Sequence, residues 1–265
     1  MSDIHKFSVI DDTARIGDGC IIGAFSVIGP NVTLGAGVRV HTNAVVTGRT
    51  VIGPGSEIFP FASIGHKPQD LKFKGEPSTL TIGADCIFRE GVTINPGTEG
   101  GGMVTSIGDK CTFLVHSHVG HDCHIGNNVI FSGASTAGHC VVGDYAILGG
   151  AAGVIQFARV GAHAFLGGMS ALEDDLIPYG MAMGNRAHLT GLNIVGLKRR
   201  GFSGSDVQSL RRAYRLLFAD EGTLMERVED VAVEFKDNPI VTEIIAFIRA
   251  GGKRPLCTPR DAAAV

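Results

Sequence analysis

The sequence predicts a mainly β chain: a hexapeptide-repeat parallel β-solenoid shaped as a triangular prism, followed by a small C-terminal α-helical domain. Three observations predict it. Large aliphatic residues recur at every sixth position, at Ile4, Ile10, Ile16, Ile22, Ile28, Leu34, Val40, Val46, Ile52, Ile58 and Ile64. The fifth residue of each repeat is small, as at Ser8, Ala14, Cys20, Ser26, Ala44, Ser56 and Ala62. The 38 glycines are dispersed, and many follow the aliphatic position, as at Gly17, Gly23, Gly29 and Gly35. Dispersed glycine speaks for repeated turns rather than a flexible linker.

A helix would space its apolar residues by three and four, and an amphipathic strand by two. A period of six suits short strands joined by tight turns. Three such strands make one coil of the prism, with the large residue inside and the small one beside a corner.

The elements follow in order. Regular coils run from Ile4 to Ile64. Residues 66–79, HKPQDLKFKGEPST, lose the pattern, which returns at Ile82 and Phe88. Residues 95–106, NPGTEGGGMVTS, interrupt it again. Both stretches read as loops thrown out of the prism, where solenoids carry function. Ile107, Phe113, Val119, Ile125 and Phe131 resume the repeat, and Val142, Leu148, Val154, Val160 and Leu166 continue it. From Phe131 to Val142 the step is 11 rather than 12, so one rung is a residue short and an irregularity is expected near 131–136. The repeat ends after Ser170.

From about residue 192 the pattern turns helical. Val207, Leu210, Tyr214, Leu217 and Phe218 recur at helical spacing. Ser205 with Gln208 resembles a capping box, and Thr223 with Glu226 opens a second helix in the same way. Asn238 as N-cap and Pro239 at the first helical position open a third. The tail after Gly251 is expected to fray. The division is residues 1–190 for the solenoid and 191–265 for the helical domain.

Composition excludes several classes. The net charge of −3 gives no global basic field, so no nucleic-acid partner is expected. No apolar run is long enough to span a bilayer, so no membrane span is expected. The start, MSDIHKFSVIDDT, lacks an apolar signal region. A cytoplasmic protein is expected. Cys20, Cys86, Cys111, Cys123 and Cys140 all occupy the small fifth slot, which reads them as buried packing residues. Cys257, in the tail, carries no such pattern.

Residues 118–126, HVGHDCHIG, gather three histidines, an aspartate and a cysteine. The register sorts them: Val119, Cys123 and Ile125 point inward, so His118, His121, Asp122 and His124 lie on outer faces or corners. His139 follows His121 by three periods and should lie about one coil above it. Two chemistries fit these residues. Three imidazoles with an open position could hold zinc, as in the γ-class carbonic anhydrases. One imidazole oriented by a carboxylate could act as general base on a hydroxyl.

More specific segments narrow the choice. HVGHDC at 118–123, AGH at 137–139, PQDLKFKGEP at 68–77 and GLNIVGLKRRGFS at 191–203 occur together on this repeat. With them the chain resembles, over essentially its whole length, the UDP-N-acetylglucosamine acyltransferase family of lipid A biosynthesis. The resemblance implies that the β-helix is left-handed. It implies a homotrimer with sites between subunits, transferring an (R)-3-hydroxyacyl chain from acyl carrier protein to the 3-OH of UDP-N-acetylglucosamine, with no cofactor and no metal. His121 would be the general base, Asp122 its orienting partner, and the Gly138 N–H an oxyanion donor. Asp70, Lys72, Asn95, His118, His139, Gln156, Asn193, Arg199 and Arg200 would bind substrate. Gly168 would end the acyl groove, and lacking a side chain it favours a longer acyl chain. Arg211, Arg212 and Arg215, with the basic run at 198–200, suggest a docking patch for the acidic carrier.

Some positions depart from well-known members of that family. Asn95 and Ile155 stand where histidine is common, and Val195 replaces a glutamate. The departures bear on nucleotide affinity and sugar preference. Acylation of a UDP-3-amino sugar is an alternative, and a zinc-dependent solenoid enzyme a more distant one.

Overall fold

The computed structural model describes residues 2–260. The six-residue period becomes two-residue strands separated by turns. Strands stack in parallel on three faces, giving sheets of 11, 9 and 8 strands. In the first coils each strand pairs with the strand three periods on, Ile4 with Ile22 and Ile10 with Ile28. The sixth-position aliphatics fill the interior: Ile22, Ile28, Leu34, Ile58 and Ile64 are all buried. Cys20, Cys86, Cys111, Cys123 and Cys140 are buried beside them, in the packing role their slot predicts. In the middle coils Phe88, Phe113 and Phe131 stack along the axis, with centroids 5.1 and 4.9 Å apart.

Corners need one residue in the left-handed conformation. Gly19, Gly37 and Gly55 take it in the early coils, at φ 69–70°. Other corners, early and late, place side chains there, including Phe25 (φ 59°), Asn31 (φ 60°), Asp122 (φ 57°) and His139 (φ 63°). Each non-glycine residue in this region costs about 1 kcal/mol, which the regular stacking on both sides offsets.

The short rung is present and has a consequence. Below it Phe113 pairs with Phe131, a full coil on, but Val119 pairs with Thr136 where the full period would bring Ala137. Gly133 (φ 65°) makes the tightened corner. At this level the coil is therefore one residue short. His139 does not lie directly above His121 as the uncorrected period suggests; Gly138 does, and His139 stacks over Asp122.

The prism continues past Ser170, beyond the expected end of the repeat. Ala171–Leu172 forms one more rung, and Gly180–Met183 pairs in parallel with Phe165–Leu166. The sequence pattern breaks because the turn around Pro178 is irregular, while Leu172, Leu176, Ile177 and Ala182 keep the interior filled. His188–Leu192 then pairs back antiparallel.

Among the described residues four helices follow: α1 (Ile194–Arg199), α2 (Gly204–Leu217), α3 (Leu224–Glu234) and α4 (Pro239–Ala250). Thr223 with Glu226 caps α3, and Asn238 with Pro239 starts α4, as their sequence signals predict. The α2 cap differs from expectation. It is Ser203 with Asp206, because helical geometry already begins at Gly204 and leaves Ser205 inside the first turn. Helices α2–α4 pack through Val207, Leu210, Val228, Val231, Val241, Ile244 and Ile248.

The segment after Gly251 is not frayed through residue 258. Asp175 N–H donates to the Pro255 carbonyl, Cys257 N–H to the Asp175 carbonyl and Leu189 N–H to the Thr258 carbonyl, and Cys257 is buried. The backbone groups of Asp175 give the tail something to pair with, which no local pattern reveals. Residues 261–265 of the expected helical domain lie outside the described residues.

Candidate active site

His121 and Asp122 occupy a corner, where side chains ordinarily face water, yet they are 7% and 2% exposed. The cover is the excursion at 95–106. Its backbone wraps the Asp122 carboxylate so closely that a Cβ on Gly101 would overlap it. Thr98 donates twice: its N–H to Asp122 Oδ1 at 2.8 Å and its hydroxyl to Oδ2 at 2.6 Å. Asp122 N–H in turn donates to Thr105 Oγ1 at 2.8 Å.

His121 Nδ1 lies 2.8 Å from Asp122 Oδ2. An ionised carboxylate only accepts, so Nδ1 carries the proton and the Nε2 lone pair is left free. A Cβ on Gly138 would overlap the His121 imidazole, and the Gly138 N–H donates to no group among the described residues. His139 is edge-on to His121, with centroids 4.9 Å apart, and its Nδ1 is 3.9 Å from Asp122 Oδ2, too far for a hydrogen bond. Burial lowers the His139 pKa despite the opposing pull of Asp122, and Phe157 stacks on its ring at 4.4 Å. An imidazole with one free nitrogen, a fixed carboxylate and an unpaired N–H nearby can take a proton from a hydroxyl and support a developing oxyanion.

Around this corner lies a cavity of about 570 Å³, walled by Asp70, Lys72, Thr98, His139, Phe157 and Lys253. The excursion at 66–79 that carries Asp70 and Lys72 is held at its base by Asn95, whose amide donates to the His66 carbonyl at 3.1 Å. Asn95 Oδ1 is buried without a partner. At the tip, Glu76 Oε1 accepts from Glu99 N–H at 3.2 Å, tying the two excursions together.

His118 lies on the next face. Its Nδ1 is 2.7 Å from Thr93 Oγ1, and burial lowers its pKa. It lines an apolar groove of about 460 Å³ with Ala137, Ile155 and Leu172. Gln156 is exposed, and its carbonyl accepts from Arg254. Gly168 is exposed beside Gly150.

The remaining expected residues do not line the cavity of their own chain. Asn193 is committed locally: Oδ1 caps α1 by accepting from Gly196 N–H, and Nδ2 donates to the His163 carbonyl at 2.9 Å. Arg199 is exposed. Arg200 reaches the Tyr145 carbonyl at 2.7 Å, at a different corner of the prism, and burial lowers its pKa.

Thr98, Thr105, Phe157 and Lys253 were not singled out by the sequence. A lone threonine among glycines in NPGTEGGG was the one available hint of a close backbone approach. For the others there was none.

Fold and site together define a hexapeptide-repeat transferase built around a histidine–aspartate pair. A family profile described as Udp N-acetylglucosamine O-acyltransferase, Domain 2, matches residues 175–257, and one described as bacterial transferase hexapeptide (six repeats) matches residues 13–48. An acyl-[acyl-carrier-protein]–UDP-N-acetylglucosamine O-acyltransferase of Methylobacterium radiotolerans is 66% identical over 77% of this chain and 75% of its own length. The enzyme of that name from Rhizobium johnstonii is 47% identical over 97% of this chain and 94% of its own. The Francisella novicida UDP-N-acetylglucosamine acyltransferase structure superposes with a TM-score of 0.94 at 33% identity, covering 99% of this chain and 96% of that one. The chain belongs to the UDP-N-acetylglucosamine O-acyltransferase family, and its solenoid is the left-handed parallel β-helix. Neither the zinc nor the amino-sugar alternative is favoured by these likenesses.

Proposed function

We propose that this protein transfers an (R)-3-hydroxyacyl group from acyl carrier protein to the 3-OH of UDP-N-acetylglucosamine, the first step of lipid A biosynthesis. The observation that carries the mechanism is the buried His121–Asp122 pair, anchored by two Thr98 hydrogen bonds and packed under Gly138. His121 Nε2 removes the proton of the sugar hydroxyl as its oxygen attacks the thioester carbonyl. Asp122 holds the ring and stabilises the imidazolium. The Gly138 N–H donates to the tetrahedral oxyanion, a contribution of about 3 kcal/mol. Collapse breaks the C–S bond, and the imidazolium returns its proton to the departing thiolate. No acyl-enzyme forms, and no step calls for a cofactor or metal.

Asp70, Lys72 and His139 meet the sugar nucleotide at the cavity, and Asn95 acts by holding their excursion in place. His118 and Gln156 flank the acyl path, for which the apolar groove at Ala137, Ile155 and Leu172 is suited. Asn193, Arg199, Arg200 and Gly168 lie off their own chain's cavity, which supports a homotrimer in which a neighbouring subunit supplies them. Arginine's forked donors suit a diphosphate. On α2, Arg212 is paired with Glu234 at 2.6 Å, leaving Arg211 and Arg215 for an acidic carrier. No helix of the described residues is long and apolar enough to cross a membrane; we place the reaction in the cytoplasm.

A mass-resolved assay with UDP-N-acetylglucosamine and hydroxyacyl carrier proteins tests the reading. One acyl group should appear on the sugar, as an ester. His121→Ala should nearly abolish turnover while the protein stays a folded trimer by light scattering. Substantial activity in that variant would refute the base assignment, and a carrier KM insensitive to salt would count against the docking patch.

A further inference from the structure

Helix α4 ends at Ala250, and the chain then crosses a half-buried ion pair, Arg159 Nε to the buried Asp175 Oδ2 at 2.7 Å. Gly252 lies against that pair: a Cβ there would sit 2.8 Å from Arg159 Nε and closer still to the Asp175 carboxylate. Only a residue without a side chain passes so near. Beyond it the segment is pinned. Asp175 N–H donates to the Pro255 carbonyl and Cys257 N–H to the Asp175 carbonyl, both at 2.8 Å. Arg254 Nε–H donates to the Gln156 carbonyl at 2.9 Å. Lys253, between these anchors, is delivered to the wall of the cavity that holds Asp70, Lys72 and His139.

Its ammonium stands 4.1 Å from the centroid of Phe157, which stacks on His139, which is edge-on to His121. A cation over an aromatic face is held without being neutralised. Lys253 makes no ion pair among the described residues, nor do Lys72 and Lys74 on the facing excursion. Of the cavity's carboxylates, two are engaged by backbone. Asp70 accepts from Lys72 N–H, and Glu76 from Lys74 and Glu99 N–H. Glu99 is the remaining acid. Three uncommitted ammonium groups around one cavity suit a ligand with several anionic oxygens.

We propose that Lys253, presented by the C-terminal segment, is a substrate-binding residue of this site that takes a phosphate oxygen of an incoming substrate. The proposal rests on the acyl-transfer reading. Phosphate oxygens reach the site from two sources, the diphosphate of the sugar nucleotide and the phosphodiester of the carrier's pantetheine arm.

Full-length wild type, Lys253→Ala and Lys253→Arg, assayed for kcat, for the KM of each substrate and for thermal midpoint, test it. Loss of one charge-assisted bond should raise the KM of one substrate about tenfold. The kcat and the thermal midpoint should barely move, and Lys253→Arg should recover most of the loss. Whichever KM rises names the source of the phosphate. Both KM values unchanged in Lys253→Ala, or a fall in kcat that arginine does not rescue, would overturn the proposal while leaving acyl transfer standing. A wild-type chain that fails to acylate the sugar nucleotide would overturn both.

Discussion

Gly138 lies directly on the imidazole of His121: a Cβ on residue 138 would stand 2.6 Å from Nε2 and closer still to Cε1. The glycine is therefore a steric requirement of the His121 ring position, and its N–H is unpaired among the described residues. Gly138→Ala should displace the ring and screen the N–H, lowering kcat about 100-fold. Circular dichroism should show the solenoid intact. A kcat within a few-fold of wild type would mean the ring and N–H are placed otherwise.

Thr98 holds Asp122 through both its N–H and its hydroxyl. Thr98→Val keeps the backbone bond and the side-chain volume but removes the hydroxyl donor. We expect kcat to fall about tenfold, the cost of one charge-assisted hydrogen bond. KM for the sugar nucleotide should change little, and Thr98→Ser should retain most activity. Equal kcat in the valine and wild-type proteins would show that the orientation of Asp122 does not depend on this bond.

His121, Asp122 and His139 place one donor atom each within 4.8 Å of one another, a grouping that could hold a metal ion. The Nδ1 of His121 already donates to Asp122, and among the described residues the grouping holds two imidazoles rather than three. Turnover is expected to survive chelation followed by gel filtration. Stoichiometric zinc in elemental analysis, with activity lost on its removal and regained on its return, would reverse the reading.

His163 is stacked between Tyr145 and Tyr179 with Arg200 nearby, and burial with that guanidinium pushes its pKa down to about 4. An unfolded histidine titrates at about 6.5. Between these values the unfolded chain binds the extra proton, so stability is full above about pH 6.5 and declines as pH falls toward 4. The group is only partly buried, so the loss is discounted for screening to about 1 kcal/mol. His163→Phe keeps a ring in the stack and should flatten this part of the stability–pH curve, read by denaturant melts at pH 7 and pH 5. Parallel curves would exclude His163 as the source.

Gly168 is exposed, and a Cβ there would first meet the Gly150 backbone, at 3.2 Å, while Met169 beside it is 78% exposed. With Gly168 proposed as the end of the acyl groove, its lack of a side chain favours longer donors. In competition among ten-, twelve- and fourteen-carbon hydroxyacyl carriers, the two longer chains should win. A strong preference for ten carbons would show that Met169 or a neighbouring subunit closes the groove.

The sequence made the solenoid legible because every coil repeats one decision: a large residue inside, a small one beside the corner, a turn. Ile22, Cys20 and Phe113 could be placed without coordinates for that reason. The same regularity failed where backbone pairing outlasted side-chain pattern, at Ala171–Leu172 and Gly180–Met183. At the site, His121 and Asp122 were legible as a corner pair, but their burial was not, since the cover comes from a loop without periodicity. Lys253 was invisible for a stronger reason: its place depends on Asp175, which lies far earlier in the chain, in the solenoid.

By itself the sequence determined the prism, its interior, the two excursions, the missing residue near 131–136 and the corner position of His121 and Asp122. These are local or periodic facts, set by hydrophobic spacing and turn chemistry. Tertiary structure alone decided what the missing residue does. A coil shortened by that one residue moves Gly138 over His121 and His139 over Asp122. It also decided that Thr98 fixes the carboxylate and that the tail docks beside the site. Stacking converts a shift of one residue in one rung into a different neighbour for every side chain on the next coil, and that neighbour exists only once the coils are stacked.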